Sequence, residues 1–178
     1  MRDGQLEQSD GNWQLRFTRT LPHPPEKVWR ALTEPDHLEA WFPTTIEGEQ
    51  AAGAALRFSH HDAPLPPFEG EMLTYEPPSL MEFRWGEDTL RFALEPDGSG
   101  TKLTLVDTLG ELGKAARDGA GWHTCLDRLA YHLDEAEPPW TSSERWGQVH
   151  DSYVEEFGPE AATIGPPEEL EGYRDASA

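Results

Sequence analysis

The chain has 178 residues and a formal charge of −20, from 34 acidic against 14 basic side chains. Such a surface repels phosphate polyanions and anionic lipid, which argues against nucleic-acid and membrane binding. Cys125 is the one cysteine. It permits no disulfide within the chain, and with no apolar signal segment at the start and no run long enough to span a bilayer, the expected location is the cytoplasm.

Residues 1–12 are polar and are expected to form a mobile start. From Trp13 to Arg19 apolar and polar residues alternate, the pattern of a half-buried strand. Pro25 and Pro35 each open a short helical pattern, one placing Val28 and Leu32 on a face, the other Leu38, Trp41 and Phe42 before Pro43. Leu56–Ser59 is a short strand, followed by a turn-rich insertion from His60 to Pro67. Segments 68–75, 80–85, 90–95 and 101–106 then read as strands joined by short turns, so neighbours must be antiparallel. Met81, Phe83 and Trp85, then Leu90, Phe92 and Leu94, then Leu103 and Leu105, give that sheet one apolar face.

Between Gly121 and Leu133 the apolar residues recur at helical spacing, predicting a one-sided helix that needs a surface to cover. A curved antiparallel sheet gripping this helix, an α+β architecture over residues 13–136, is the economical arrangement. Glu137-Pro138-Pro139 is a linker. Thr141-Ser142-Ser143-Glu144 has the capping-box form, and Trp146, Val149, Tyr153 and Phe157 form the stripe of an extra helix within 137–158. That stripe either covers the domain's own apolar surface or supports a homodimer. Residues 159–178 form an acidic Pro/Glu-rich tail expected to be irregular.

The order strand, two short helices, antiparallel strands and long helix resembles the helix-grip fold of the START-like (SRPBCC) superfamily. Within it, Pro24 to Phe42 resembles the opening signature of the bacterial branch named after the activator of heat-shock-protein-90 ATPase homologue. Gly70-Glu71-Met72-Leu73, the turn with Pro77, Phe83-Arg84-Trp85, and Gly121-Trp122 with Leu126 and Leu129 are similar to its later landmarks. The resemblance spans about Trp13 to Leu133. It implies a cavity between sheet and helix, and it specifies fold more than activity.

Trp41, Phe42, Phe58, Met72, Phe83, Trp85, Phe92, Trp122, Cys125, Leu126 and Leu129 are the side chains expected around that space. Any one of them could simply pack the core; together they suit an apolar small molecule. The candidate catalytic groups are Glu69 and Glu71, which share a strand face with Tyr75, and His60 and His123. His60-His61-Asp62 invites a metal reading, but adjacent strand residues point to opposite faces, so no metal is expected. His123 and His132 fall on opposite sides of a helix and His37 reads as a surface or cap residue. Cys125 reads as a small buried hydrophobe, and no Gly-rich phosphate loop or Ser/His/Asp arrangement is present; no cofactor is expected. The leading expectation is a domain that binds a small hydrophobic molecule. The alternatives are an aromatase/cyclase-like or hydratase-like enzyme acting on a polyketide-like substrate, and a chaperone-linked interaction module.

Overall fold

The computed structural model describes residues 4–61 and 63–166. The strands are β1 (Gln5–Ser9), β2 (Asn12–Leu21), β3 (Thr44–Glu47), β4 (Ala55–His60), β5 (Phe68–Glu76), β6 (Leu80–Trp85), β7 (Asp88–Asp97) and β8 (Gly100–Thr108). The helices are α1 (Pro25–Thr33), α2 (Pro35–Trp41), α3 (Ala115–Leu133) and α4 (Ser142–Phe157). All eight strands form one antiparallel sheet in the order β1-β2-β8-β7-β6-β5-β4-β3. The sheet wraps α3, which gives the α+β helix-grip fold.

Proline sets the first two helices. Pro25 and Pro35 each occupy a first-turn position, where a missing N–H costs nothing, and Glu34 both ends α1 and precedes α2 in extended backbone. The indole N–H of Trp41 donates to Ala31 O at 2.8 Å and locks the two helices together.

Two strands lie outside the sequence reading. Residues 5–9, expected to be mobile, form a hairpin with β2, and Thr44–Glu47 pairs with β4. Both are edge strands of mixed or polar composition, so little apolar alternation marks them. Gly4 explains the docking of the first: its N–H donates to the Tyr153 hydroxyl at 3.1 Å, and a Cβ there would lie 2.6 Å from the Phe17 ring.

Helix α3 begins six residues before the predicted Gly121 start. Its first turns, Ala115-Ala116-Arg117-Asp118-Gly119-Ala120, lack large apolar residues because α4 lies against them; a Cβ on Gly119 would already meet Tyr153 at 3.3 Å. The capping box of α4 is formed, with Glu144 N–H donating to Thr141 Oγ1 at 3.2 Å and Thr141 N–H to Glu144 Oε2 at 2.7 Å. Val149 and Tyr153 are buried against the domain, and Trp146 and Phe157 are partly buried beside them, so the stripe on α4 packs on the protein's own surface. Asp127 fastens the layers, accepting from Arg19 of β2 at 2.8 Å and from Arg145 of α4 at 2.7 Å.

The predicted irregular tail is ordered where it begins. Residues 159–162 form a 3₁₀ turn and Ile164 N–H donates to Gly113 O at 3.0 Å; residues 167–178 lie outside the described residues.

Candidate functional site

The sheet-helix space divides into a filled core and an open cleft. Phe58, Phe83 and Phe92 are each at most 1% exposed and stack in series, Phe58 on Phe83 at 5.7 Å and Phe83 on Phe92 at 6.2 Å. Leu126 and Leu129 close that stack from α3. These five, expected around a cavity, are core. Met72 borders a separate void of about 20 Å³, room for no more than a water.

Beyond the ring stack lies a cleft of about 600 Å³. Of the expected cavity residues, Trp41, Phe42, Trp85, Trp122 and Cys125 line it. Phe42 stacks on Trp122 at 5.7 Å, and Trp85 meets Phe68 edge-on at 4.8 Å, so aromatic rings from four elements make its apolar wall. His60 at the end of β4 and His61, Ala63 and Leu65 in the segment after it also line the cleft, and Trp146 of α4 completes the rim. Gly121 lies in the α3 wall with open space where a Cβ would stand.

The candidate catalytic residues separate sharply. Glu69 points to solvent and pairs with Arg57 at 3.4 Å, and Glu71 is on the same outward face; neither borders the cleft. A bulge between Met72 and Thr74 reverses the parity, so Tyr75, opposite buried Met81, is inward while the two glutamates are not. His123 is buried between α3 and α4, its Nδ1 2.8 Å from the Tyr153 hydroxyl, and is also off the cleft. His60 alone of the four borders it. Burial, then the neighbouring His61, lower its pKa, so the ring is neutral at pH 7; among the described residues its buried Nδ1 has no hydrogen-bond partner. Asp62, the third member of the expected His-His-Asp run, lies outside the described residues. His37 has a side chain 39% exposed near the start of α2, with Nε2 3.4 Å from Glu34 and Nδ1 2.8 Å from Nε2 of His132.

A polar group that the sequence reading missed closes one end of the cleft. Asp88 of β7, Asp107 of β8 and Asp118 of α3 hold carboxylate oxygens within 4.8 Å of one another. Lys114 ion-pairs with Asp88, whose Oδ1 also accepts from Gly110 N–H at 2.9 Å, while Arg117 Nε donates to Asp118 at 2.7 Å. Burial, then the Asp88 carboxylate, push Asp107 well above the usual carboxylate range, and burial also raises Asp118 against the pull of Arg117. Burial disfavours charge on Lys114, but Asp88 outweighs it and holds the ammonium. Three carboxylates at this spacing have the donor chemistry of a hard-cation site, though Lys114 already neutralises one of them. On Cys125 burial pushes the thiol up to about 12, which leaves it an apolar wall rather than a nucleophile.

A signal for the aspartates was present. Asp88 continues the inward series Leu90, Phe92 and Leu94, and Asp107 continues Leu103 and Leu105. Both stand at strand ends, just outside the expected segments 90–95 and 101–106, so their parity went unread.

Residues 22–134 match the model of the family described as Activator of Hsp90 ATPase homolog 1-like protein. The chain belongs to that family. No curated protein matches it. Among solved structures this family member is similar to the conserved protein EF2215 of Enterococcus faecalis, at 23% identity over 86% of this chain and 89% of that one, with a TM-score of 0.72. It is similar to CalU16 of Micromonospora echinospora at 20% identity over 88% and 97% of the two chains, TM-score 0.69. DynU16, from the dynemicin biosynthetic locus, is 28% identical over 72% of this chain but 50% of its own length, TM-score 0.63. These likenesses agree with the START-like reading of the Activator of Hsp90 ATPase homolog 1-like chain. Among its described residues no helix is long and apolar enough to cross a membrane.

Proposed function

We propose that this START-like domain binds a flat, mostly apolar small molecule in the cleft between α3 and the β4–β5 and β6–β7 ends of the sheet. The observation that carries the reading is the about 600 Å³ space walled by the rings of Phe42, Phe68, Trp85 and Trp122. Its size is in the usual range for small-molecule sites, and apolar walls with a few polar groups are what such ligands need.

A second reading, an enzyme of cyclase or hydratase type, draws on one observation. The cleft carries a neutral imidazole, His60, and a carboxylate group around Asp88 in the same wall system. Neutral imidazole is a competent proton acceptor. That DynU16 comes from a biosynthetic locus supports a small-molecule role on this fold.

The test is native mass spectrometry of gently purified protein, with solvent extraction and identification of any released compound. Gly121→Phe fills the cleft from a helical position where added atoms meet open space, so the fold is kept. Retained mass in the wild type that is lost in Gly121→Phe supports the reading. A bare mass, with no thermal stabilisation by a panel of polycyclic aromatic compounds, sinks it. Turnover of an extracted ligand that is abolished by His60→Gln would decide for the enzyme.

A further inference from the structure

Of the lysine, arginine and carboxylate side chains around the cleft, most are paired or solvated. Lys114 meets Asp88 and Arg117 meets Asp118, while Glu39 and Glu87 are exposed at the rim. Arg128 of α3 is the remainder. It lines the cleft and is part-buried, yet among the described residues no carboxylate lies within ion-pair distance of it, in a chain of charge −20.

The contacts of Arg128 are to neutral acceptors. Nε donates to Ala40 O at 3.0 Å and Nη1 to Ser142 Oγ at 3.0 Å, which fixes the guanidinium between α2 and α4. These bonds use two of the five guanidinium N–H groups, and the three left over, both on Nη2 and one on Nη1, have no partner among the described residues. Ser142 accepts from Arg128 through its oxygen, which leaves its O–H free to donate, and it too lines the cleft. The charge is felt within the apolar wall, where Arg128 opposes burial in setting the Cys125 thiol.

Trp122, Cys125 and Arg128 recur at three-residue steps on one face of α3, and all three line the cleft. The row passes from aromatic to cationic over about 9 Å of helix, close to the length of a bicyclic aromatic acid. We propose that the cleft ligand carries a carboxylate, held by Arg128 and the Ser142 hydroxyl, while its aromatic body lies against Phe42 and Trp122. The inference rests on the cleft being a ligand site and names the class of ligand. A planar, weakly hydrated guanidinium with its N–H groups already aimed is suited to a carboxylate. Repulsion from the acidic surface is screened beyond about 8 Å at physiological salt, whereas the contact with Arg128 is direct.

Calorimetric titration at pH 7 with 2-naphthoate and with its neutral methyl ester tests it. At low salt the carboxylate should bind about tenfold more tightly than the ester, the worth of a charged hydrogen bond, and the ratio should shrink at high salt. Arg128→Met should bring the two affinities together by weakening the carboxylate alone, with ester binding kept. Arg128→Gln, which retains an N–H for Ala40 O, should do the same and serves where the methionine variant does not fold. Equal binding of carboxylate and ester by the wild type overturns the carboxylate subsite and leaves the cleft reading standing. A preference that survives both substitutions places the carboxylate elsewhere, and loss of the ester together with the carboxylate in both makes Arg128 a brace of the cleft; either overturns the proposal. Failure of both naphthalenes to bind the wild type overturns the cleft reading as well.

Discussion

The Trp122 indole N–H donates to Asp107 Oδ2 at 2.9 Å, which ties the gripped helix to the middle of the sheet at the inner end of the cleft. The bond crosses from α3 to β8, and both partners are buried. Its loss is therefore felt in stability as well as in the shape of the site. Trp122→Phe keeps part of the ring system and removes the N–H that Asp107 Oδ2 accepts from. The expected cost is about 1–3 kcal/mol, read from urea unfolding at pH 7. In an Asp107→Leu background the same change should cost clearly less, since no polar group is then stranded; an equal cost would mean that ring packing alone sets the effect.

The pH dependence has a definite sign. The folded-state pKa of Asp107 is raised well above 3.8, so the native state holds a proton that the unfolded chain releases. The stabilisation this gives is complete below pH 3.8 and falls as pH rises towards the folded pKa. Asp107→Asn, which mimics the protonated form, should gain on the wild type with rising pH across that window, by up to about 1.4 kcal/mol per pH unit. Denaturant midpoints from pH 4 upward would show it, and a difference that stays flat with pH would contradict the raised value.

On α4, Gly147 has no atom within 4 Å of a prospective Cβ. It is exposed and inside the helix, so Gly147→Ala should stabilise by roughly 0.5–1 kcal/mol through backbone entropy alone. A thermal melt is sufficient, and a lowered melting temperature would mean that α4 is not helical at this point.

Tyr153 holds the N-terminal hairpin to the helical layer. Its hydroxyl takes the Gly4 N–H at 3.1 Å and contacts His123 Nδ1 at 2.8 Å, and the residue is 0% exposed. Tyr153→Phe should cost about 1–3 kcal/mol, with faster hydrogen exchange localised to β1 and its partner residues in β2. Exchange that is unchanged in β1 would show that the pairing with β2 suffices without the hydroxyl.

Cys125 should be nearly inert to alkylation in the folded protein. With the thiol pushed up to about 12, thiolate at pH 8 is on the order of one part in ten thousand. Iodoacetamide labelling followed by mass spectrometry should find it unmodified until denaturant is added; rapid native labelling would mean that the cleft wall opens.

Much of the architecture was legible because it rests on local periodicity. The alternation in β6, β7 and β8, the prolines that open α1 and α2, and the capping box of α4 each act over a few residues, so each could be read without knowing what lies opposite. Sequence also identified the aromatic inventory, but not its division. Phe58, Phe83 and Phe92 could not be told from Phe42, Trp85 and Trp122 by type or parity, since all face inward.

What tertiary structure alone decided was which inward residues meet other rings and which meet empty space. Bulging at Met72/Thr74 turned Tyr75 inward and parted it from the outward Glu69 and Glu71, a one-residue shift that inverts every later side chain on the strand. Asp88, Asp107 and Asp118 come from three separate elements, and no spacing along the chain announces that their oxygens lie within 4.8 Å. Sequence determined the grip, through patterns local to each element. The cleft and its polar end depend on long-range register and on where α4 and the tail settle, contacts whose partners are far apart in the chain.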